Sequence, residues 1–362
     1  MENMKIATNQ ENTTMKNRAP GLDLLRCLGL FLVVSFHGFL CNGYYYEVQQ
    51  GMYMWLAGSF RWFSCCCIGL FLMLTGYLKS DRTHWRDCWK GLIPVLLGYC
   101  LTTALAVPYR HFYMGETQSV IQWIRSILRF TVNDYSWYVP MYIGLTLISP
   151  FVNLLLQHLH NTRQLLALAA VLLGITAVPG IWPGWLPDYW YFAYPLSYYV
   201  LGATVRRLQP KLPVWLGLLG AAAMALVMGT VTVLRAWGTV NAGPAWEFGD
   251  VWIVWMVLCL FLGLYRVKLP GKVSRVLAVC SGGCYGGFLL SWMLDNTVYR
   301  WGARCGVPIN SWQMFLCVTI PIFLVSLGLG ILLQYLTRCL IRCGKRILKR
   351  PTAVDSGEMP RH

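Results

Sequence analysis

Acidic residues are scarce in this chain: 14 Asp and Glu stand against 30 Lys and Arg, and charged side chains of either sign make up only 12% of its 362 residues. A soluble domain carries about a quarter, so water is not the main solvent for this surface. Also missing are the alternating segments of about ten residues that mark barrel strands, any Cys/His spacing that suggests zinc, a repeat with a period of about 20 to 50 residues and any low-complexity tract. The opening residues, MENMKIATNQENTTMKNRAP, have neither the short apolar core nor the small-residue cleavage site of a signal peptide. The first apolar run is therefore expected to stay as an anchor.

What remains is 57% hydrophobic, in runs close to the roughly 20 residues that cross a hydrocarbon core. A backbone in lipid must satisfy its own hydrogen bonds, and runs this long do so as helices. The sequence thus predicts an all-α polytopic transmembrane bundle of about ten spans, near 21–41, 56–78, 88–107, 136–157, 165–183, 188–205, 213–234, 250–267, 276–298 and 312–336. A cytoplasmic segment over 1–20 precedes the membrane domain over 21–344, and a short basic and polar cytoplasmic tail over 345–362 follows it. Between the third and fourth spans, 115–130 sets Val120, Ile121, Trp123, Ile124, Ile127 and Leu128 around Gln122, Arg125 and Arg129, the pattern of an amphipathic helix in the interface.

The net charge of +16 has a simpler cause than nucleic acid, which is not an expected partner. Lys and Arg are retained on the cytoplasmic side of membrane proteins. With both termini inside, 22 of the 30 fall on that side, seven on the other, and Arg26 lies within the first span. Most of the 14 Cys fall inside spans, where a thiol is a small hydrophobe. Cys41 and Cys305, near outer loops, leave one disulfide open as an alternative.

Titratable groups inside hydrocarbon are costly, which makes each a functional hypothesis. The first span, GLDLLRCLGLFLVVSFHGFL, holds Asp23, Arg26 and His37. At 100° per residue the three share one face, with His37 about 16 Å outward of Arg26 along the axis. His37 is the one histidine inside a span. An imidazole that titrates near neutrality suits general acid–base work; the alternative is a plain helix–helix hydrogen bond. Arg26 either snorkels to headgroups or grips a phosphate through its forked donors, and Asp23 is read as its structural partner at i, i+3.

These residues resemble the acyltransferase-3 family of membrane acyltransferases, whose signature places an Arg and a His ten residues apart in the first span after an Asp-containing lead. Here that signature is LDLLRCLGLFLVVSFH, Leu22 to His37. IGLFLMLTGYL (Ile68 to Leu78), YSWYVPMYIGLTLISPFVN (Tyr135 to Asn153) and YPLSYYVLGATVRR (Tyr194 to Arg207) are similar to later segments in the expected order. The resemblance implies transfer of an acyl group, commonly acetyl, from cytoplasmic acyl-CoA to a hydroxyl of a cell-surface glycan or lipid-linked sugar. It makes the chain a multi-pass protein of the cell (plasma or inner) membrane, in contact with membrane lipid and holding no permanent cofactor and no metal. On the matching positions His37 is the catalytic base and Arg26 a catalytic, donor-binding or site-organising residue.

Three departures stand out. Ser291-Trp292 occupy a place where many relatives carry a second His, and Pro140 interrupts the aromatic span. No soluble esterase-like domain follows, which leaves room for a separate extracytoplasmic partner protein. Arg82 and Arg86 are expected to help bind acyl-CoA at the inner face. Trp137, Tyr138 and Tyr142, taken as the outer end of the fourth span, line the acceptor side or form an interfacial belt with Trp182, Trp185, Tyr189, Trp190 and Tyr191. Asp295 is a second acid on that side or a wetted helix-end residue. The rival class is a transporter or flippase, for which polar residues in the bundle would line a pathway; the two halves show no matching broken helices.

Overall fold

The computed structural model describes residues 19–182, 184–240, 248–306 and 312–348. Nearly all of the predicted cytoplasmic segment over 1–20, and most of the tail over 345–362, lie outside the described residues. Among those described there is no strand, only two isolated bridges near Val48 and Gln49, and twelve α-helices.

The central helix is α1 (Pro20–Cys41), with Pro20 in its first turn, where a missing N–H leaves nothing unsatisfied, and Asp23 near its positive end. Then come α2 (Gly51–Ser64) and α3 (Cys66–Lys79), parted only at Cys65, and α4 (Trp85–Pro108), which runs on in a wider turn over Tyr109–Tyr113. The short α5 is Val120–Leu128. A 3-10 turn over Asp134–Trp137 leads into α6 (Tyr138–His158). The remainder is α7 (Thr162–Ile181), α8 (Tyr194–Leu208), α9 (Val214–Arg235), α10 (Val251–Leu264), α11 (Gly271–Arg304) and α12 (Trp312–Leu348).

Among the described residues, eight helical segments are long and apolar enough to cross a membrane: α1, α2–α3 together, α4, α6, α7, α9, α11 and α12. The two others predicted as spans are helical over shorter stretches, 15 residues in α8 and 14 in α10. An apolar run in sequence includes residues that leave the helix, such as the 3-10 turn over Asp188–Ala193 before α8. α8 and α10 are inner elements, buried along much of their length. The rim of the bundle includes α7 and α9, about a third or less buried, whereas α1 and α2–α3 are two-thirds or more buried.

The amphipathic segment is helical as its pattern predicts. A reciprocal capping box between Ser119 and Gln122 starts α5, and its Val120, Ile121 and Leu128 are more than 70% exposed, a bare apolar stripe suited to lipid. Pro140 falls in the first turn of α6 and interrupts nothing, because the helix begins at Tyr138. Cys41 and Cys305 are both free thiols.

Two glycines from the motif segments have a packing purpose. A Cβ on Gly76 of α3 would overlap the carbonyl of Tyr199 in α8, and one on Gly202 of α8 would overlap the carbonyl of Met73 in α3. The helices touch backbone to backbone, which only small residues allow.

Candidate active site

His37 sits on the C-terminal half of α1, 6% exposed. Its ring stacks on Tyr135, with centroids 3.5 Å apart and planes 14° from parallel, and Phe288 of α11 lies 6.2 Å away. Its Nδ1 is buried with no hydrogen-bond partner among the described residues. The plain helix–helix hydrogen bond therefore has no counterpart there. The ring instead faces a cavity of about 260 Å³ whose walls include Leu40, Tyr135, Trp137 and Phe248.

Tyr135 reaches His37 because its loop is tied down on both sides. Phe130 turns the chain at φ 58°. Asn133 donates through Nδ2 to the Leu289 carbonyl (2.7 Å) and accepts from the Tyr135 N–H (2.8 Å). Asp134 accepts from Trp292 Nε1 (3.0 Å) and pairs with Arg110 (2.8 Å), which also pairs with Glu116 (2.8 Å). Trp292 thus anchors this loop.

Tyr135 donates its hydroxyl to Asp295 Oδ2 at 2.7 Å. Asp295 is fully buried, which corrects the reading of it as a wetted helix end. Its Oδ1 has no partner among the described residues. A carboxyl group so placed in the membrane is expensive unless used, and here it holds the ring that stacks on His37. Changing Tyr135 to Phe keeps the stack and strands the acid, a loss of about 1–3 kcal/mol. The expected result is a fall in kcat of about tenfold or more with little change in donor KM. Adding Asp295→Leu should restore part of it, since removing both partners of a buried hydrogen bond costs less than removing one.

Arg26 lies in a second cavity of about 210 Å³, toward the N-terminal end of α1 and bordered by Lys79, Tyr142, Ser281 and Tyr285. Asp23 pairs with Arg26 at 3.3 Å and accepts from the Ser281 hydroxyl at 2.6 Å. The Arg26 side chain is 30% exposed, so the guanidinium keeps donors for a ligand. The second cation was not singled out from sequence. Lys79 ends α3, and its ammonium points back into the bundle, donating to Tyr142 Oη at 2.6 Å and lying 4.8 Å from the ring centre. It has no carboxylate partner among the described residues. Two cations in an apolar chamber suit an anion.

The predicted site residues divide between the two chambers. Trp137 lines the one with His37; Tyr138 and Tyr142 line the one with Arg26, so Tyr142 belongs with Lys79 and not with the outer aromatics. Arg82 and Arg86 are exposed and line neither cavity. Of the loop aromatics, Trp182, Trp185, Tyr189 and Trp190 are exposed while Tyr191 is buried and accepts from the Gly249 N–H. Among the described residues no His, Cys, Asp or Glu cluster has the makings of a metal site.

This arrangement, a buried imidazole beside a cationic chamber in a helical membrane bundle, coincides with a family match. The acyltransferase domain model of the acyltransferase-3 family matches residues 20–331, and the chain belongs to that family. It is a multi-pass membrane acyltransferase. No curated protein and no solved structure matches the chain.

Proposed function

We propose that the protein is an O-acyltransferase that moves an acyl group, most simply acetyl, from cytoplasmic acyl-CoA to a hydroxyl of a cell-surface glycan or lipid-linked sugar, with both termini and the Arg26 chamber on the cytoplasmic side of the cell membrane. The observation that carries it is His37: a buried imidazole without a structural hydrogen bond, open to a cavity and in line with a cation-lined chamber on the same helix. His37 takes the proton of the acceptor hydroxyl as the oxygen attacks the thioester carbonyl. The tetrahedral intermediate then collapses with loss of CoA thiolate, to which the imidazolium returns the proton. The same ring suits a two-step route, in which it carries the acyl group between donor and acceptor.

Arg26 and Lys79 hold the phosphates of the donor, with Arg82 and Arg86 drawing it to the inner surface. Trp137 offers a face for sugar stacking in the outer cavity. Arg26→Gln and Lys79→Met should each raise the KM for acetyl-CoA about tenfold, the worth of a charge-assisted hydrogen bond. With a donor lacking its 3′-phosphate, at least one of the two losses should shrink.

The deciding experiment incubates the purified full-length protein with labelled acetyl-CoA and a native membrane extract as acceptor source. Label should move to glycan or lipid-linked sugar. A transporter or flippase would leave acetyl-CoA untouched, and that outcome would overturn the reading.

A further inference from the structure

The two chambers are separate cavities that share three wall residues. Val33, Ile68 and Phe288 line both and come from α1, α3 and α11. All three are buried, none more than 5% exposed. Val33 is seven residues beyond Arg26 and four short of His37, so the three stand on one stripe of α1, about 10 Å and 6 Å apart along the axis. These shared side chains therefore stand between the chamber of the cations and that of the imidazole.

The three wall residues differ in freedom. Val33 and Ile68 are β-branched and stiff about χ1. Phe288 is not, and it is the largest. It stacks loosely on Tyr135 (6.1 Å) and on His37 (6.2 Å) and meets Tyr138 edge-on at 5.7 Å. On the inner side it borders the chamber of Arg26 and Lys79, and on the outer side it borders the imidazole.

We propose that Phe288 is the leaf of this wall and sets the length of acyl group the enzyme accepts. The inference rests on the acyl-CoA reading above. For the thioester to come within reach of His37, the acyl group leads and must pass Phe288 into the outer cavity. That cavity, about 260 Å³, must also admit the acceptor hydroxyl. An acetyl group needs only a small swing of the ring. A longer chain needs the ring held aside and fills the space the acceptor requires.

The test measures CoA release and label transfer from acetyl-, butyryl- and octanoyl-CoA by the purified full chain in nanodiscs, with native membrane extract as acceptor source. Wild-type protein should prefer acetyl over octanoyl by at least about tenfold, the discrimination a well-fitted apolar pocket affords. Phe288→Ala joins the chambers and should cut that preference about tenfold; Phe288→Leu, which retains an aliphatic fill, should fall between. Phe288→Trp should depress acetyl transfer about tenfold while labelled acetyl-CoA still binds. Elution as a single species on size exclusion serves as the folding check, and a folded Phe288→Leu variant decides the question where Phe288→Ala does not fold. An unchanged chain-length profile in the folded variants would overturn the proposal and leave the acyl-CoA reading standing. Failure of the wild-type protein to release CoA from any of the three donors would sink both.

Discussion

Replacing His37 with Ala is expected to reduce acyl transfer by about 10²–10⁴-fold, the range that a positioned general acid–base contributes, while the protein still inserts and folds. Its ring fills one face of a cavity and makes no hydrogen bond among the described residues, so its removal enlarges that cavity and strands no polar partner. The damage should therefore fall on kcat far more than on stability. His37→Gln offers a control of similar bulk that supplies an amide but no titrating nitrogen, and it should be nearly as inactive. Wild-type rates in either folded variant, measured as label transferred from acetyl-CoA, would remove His37 from the chemistry.

The second large effect concerns assembly. Gly202→Leu should prevent the bundle from forming in stable, extractable yield. A side chain at this position meets the α3 backbone at Met73 and Tyr77, and a Cβ alone already overlaps it. Backbone does not step aside as the end of a flexible side chain does, so the two helices must separate. Their separation would open contacts around the C-terminal end of α3, where Lys79 turns toward Tyr142. Gly202→Ala should be milder but still harmful. Expression followed by detergent extraction and size exclusion gives the readout, with Gly174→Ala as comparison, since an added Cβ there meets nothing within 4 Å. Equal yields of the Gly202→Leu and Gly174→Ala proteins would refute the close crossing.

The helical bundle was readable because its cause is local. Long apolar runs and basic loops describe a solvent, and that solvent dictates helices whatever their neighbours. The face shared by Asp23, Arg26 and His37 was readable for the same reason, since it depends on the angle per residue alone. What packs against that face depends on tertiary approach. Tyr135 meets His37 through a loop held by Trp292 and Leu289, more than 150 residues along the chain. Lys79 looked like one of many inner-surface cations, because an unpaired lysine at a helix end ordinarily reaches outward. Tyr142 read as an outer aromatic for the company it keeps in sequence, although its hydroxyl accepts from Lys79 in the chamber of Arg26. Asp295 stood out as an acid near a helix end, but sequence gave no sign that a tyrosine hydroxyl would bury it.

The partition made by Val33, Ile68 and Phe288 also bears on the electrical life of the membrane. Moving one elementary charge through 100 mV takes about 2.3 kcal/mol, and a water-filled passage between the two chambers would let ions dissipate that store. Three hydrocarbon side chains offer an ion nothing in place of its hydration, whereas a neutral acetyl group has no charge to strip. On the acyl-CoA reading proposed above, a partition of this kind would insulate against current and still pass a small uncharged acyl group, whose movement draws nothing from the transmembrane voltage.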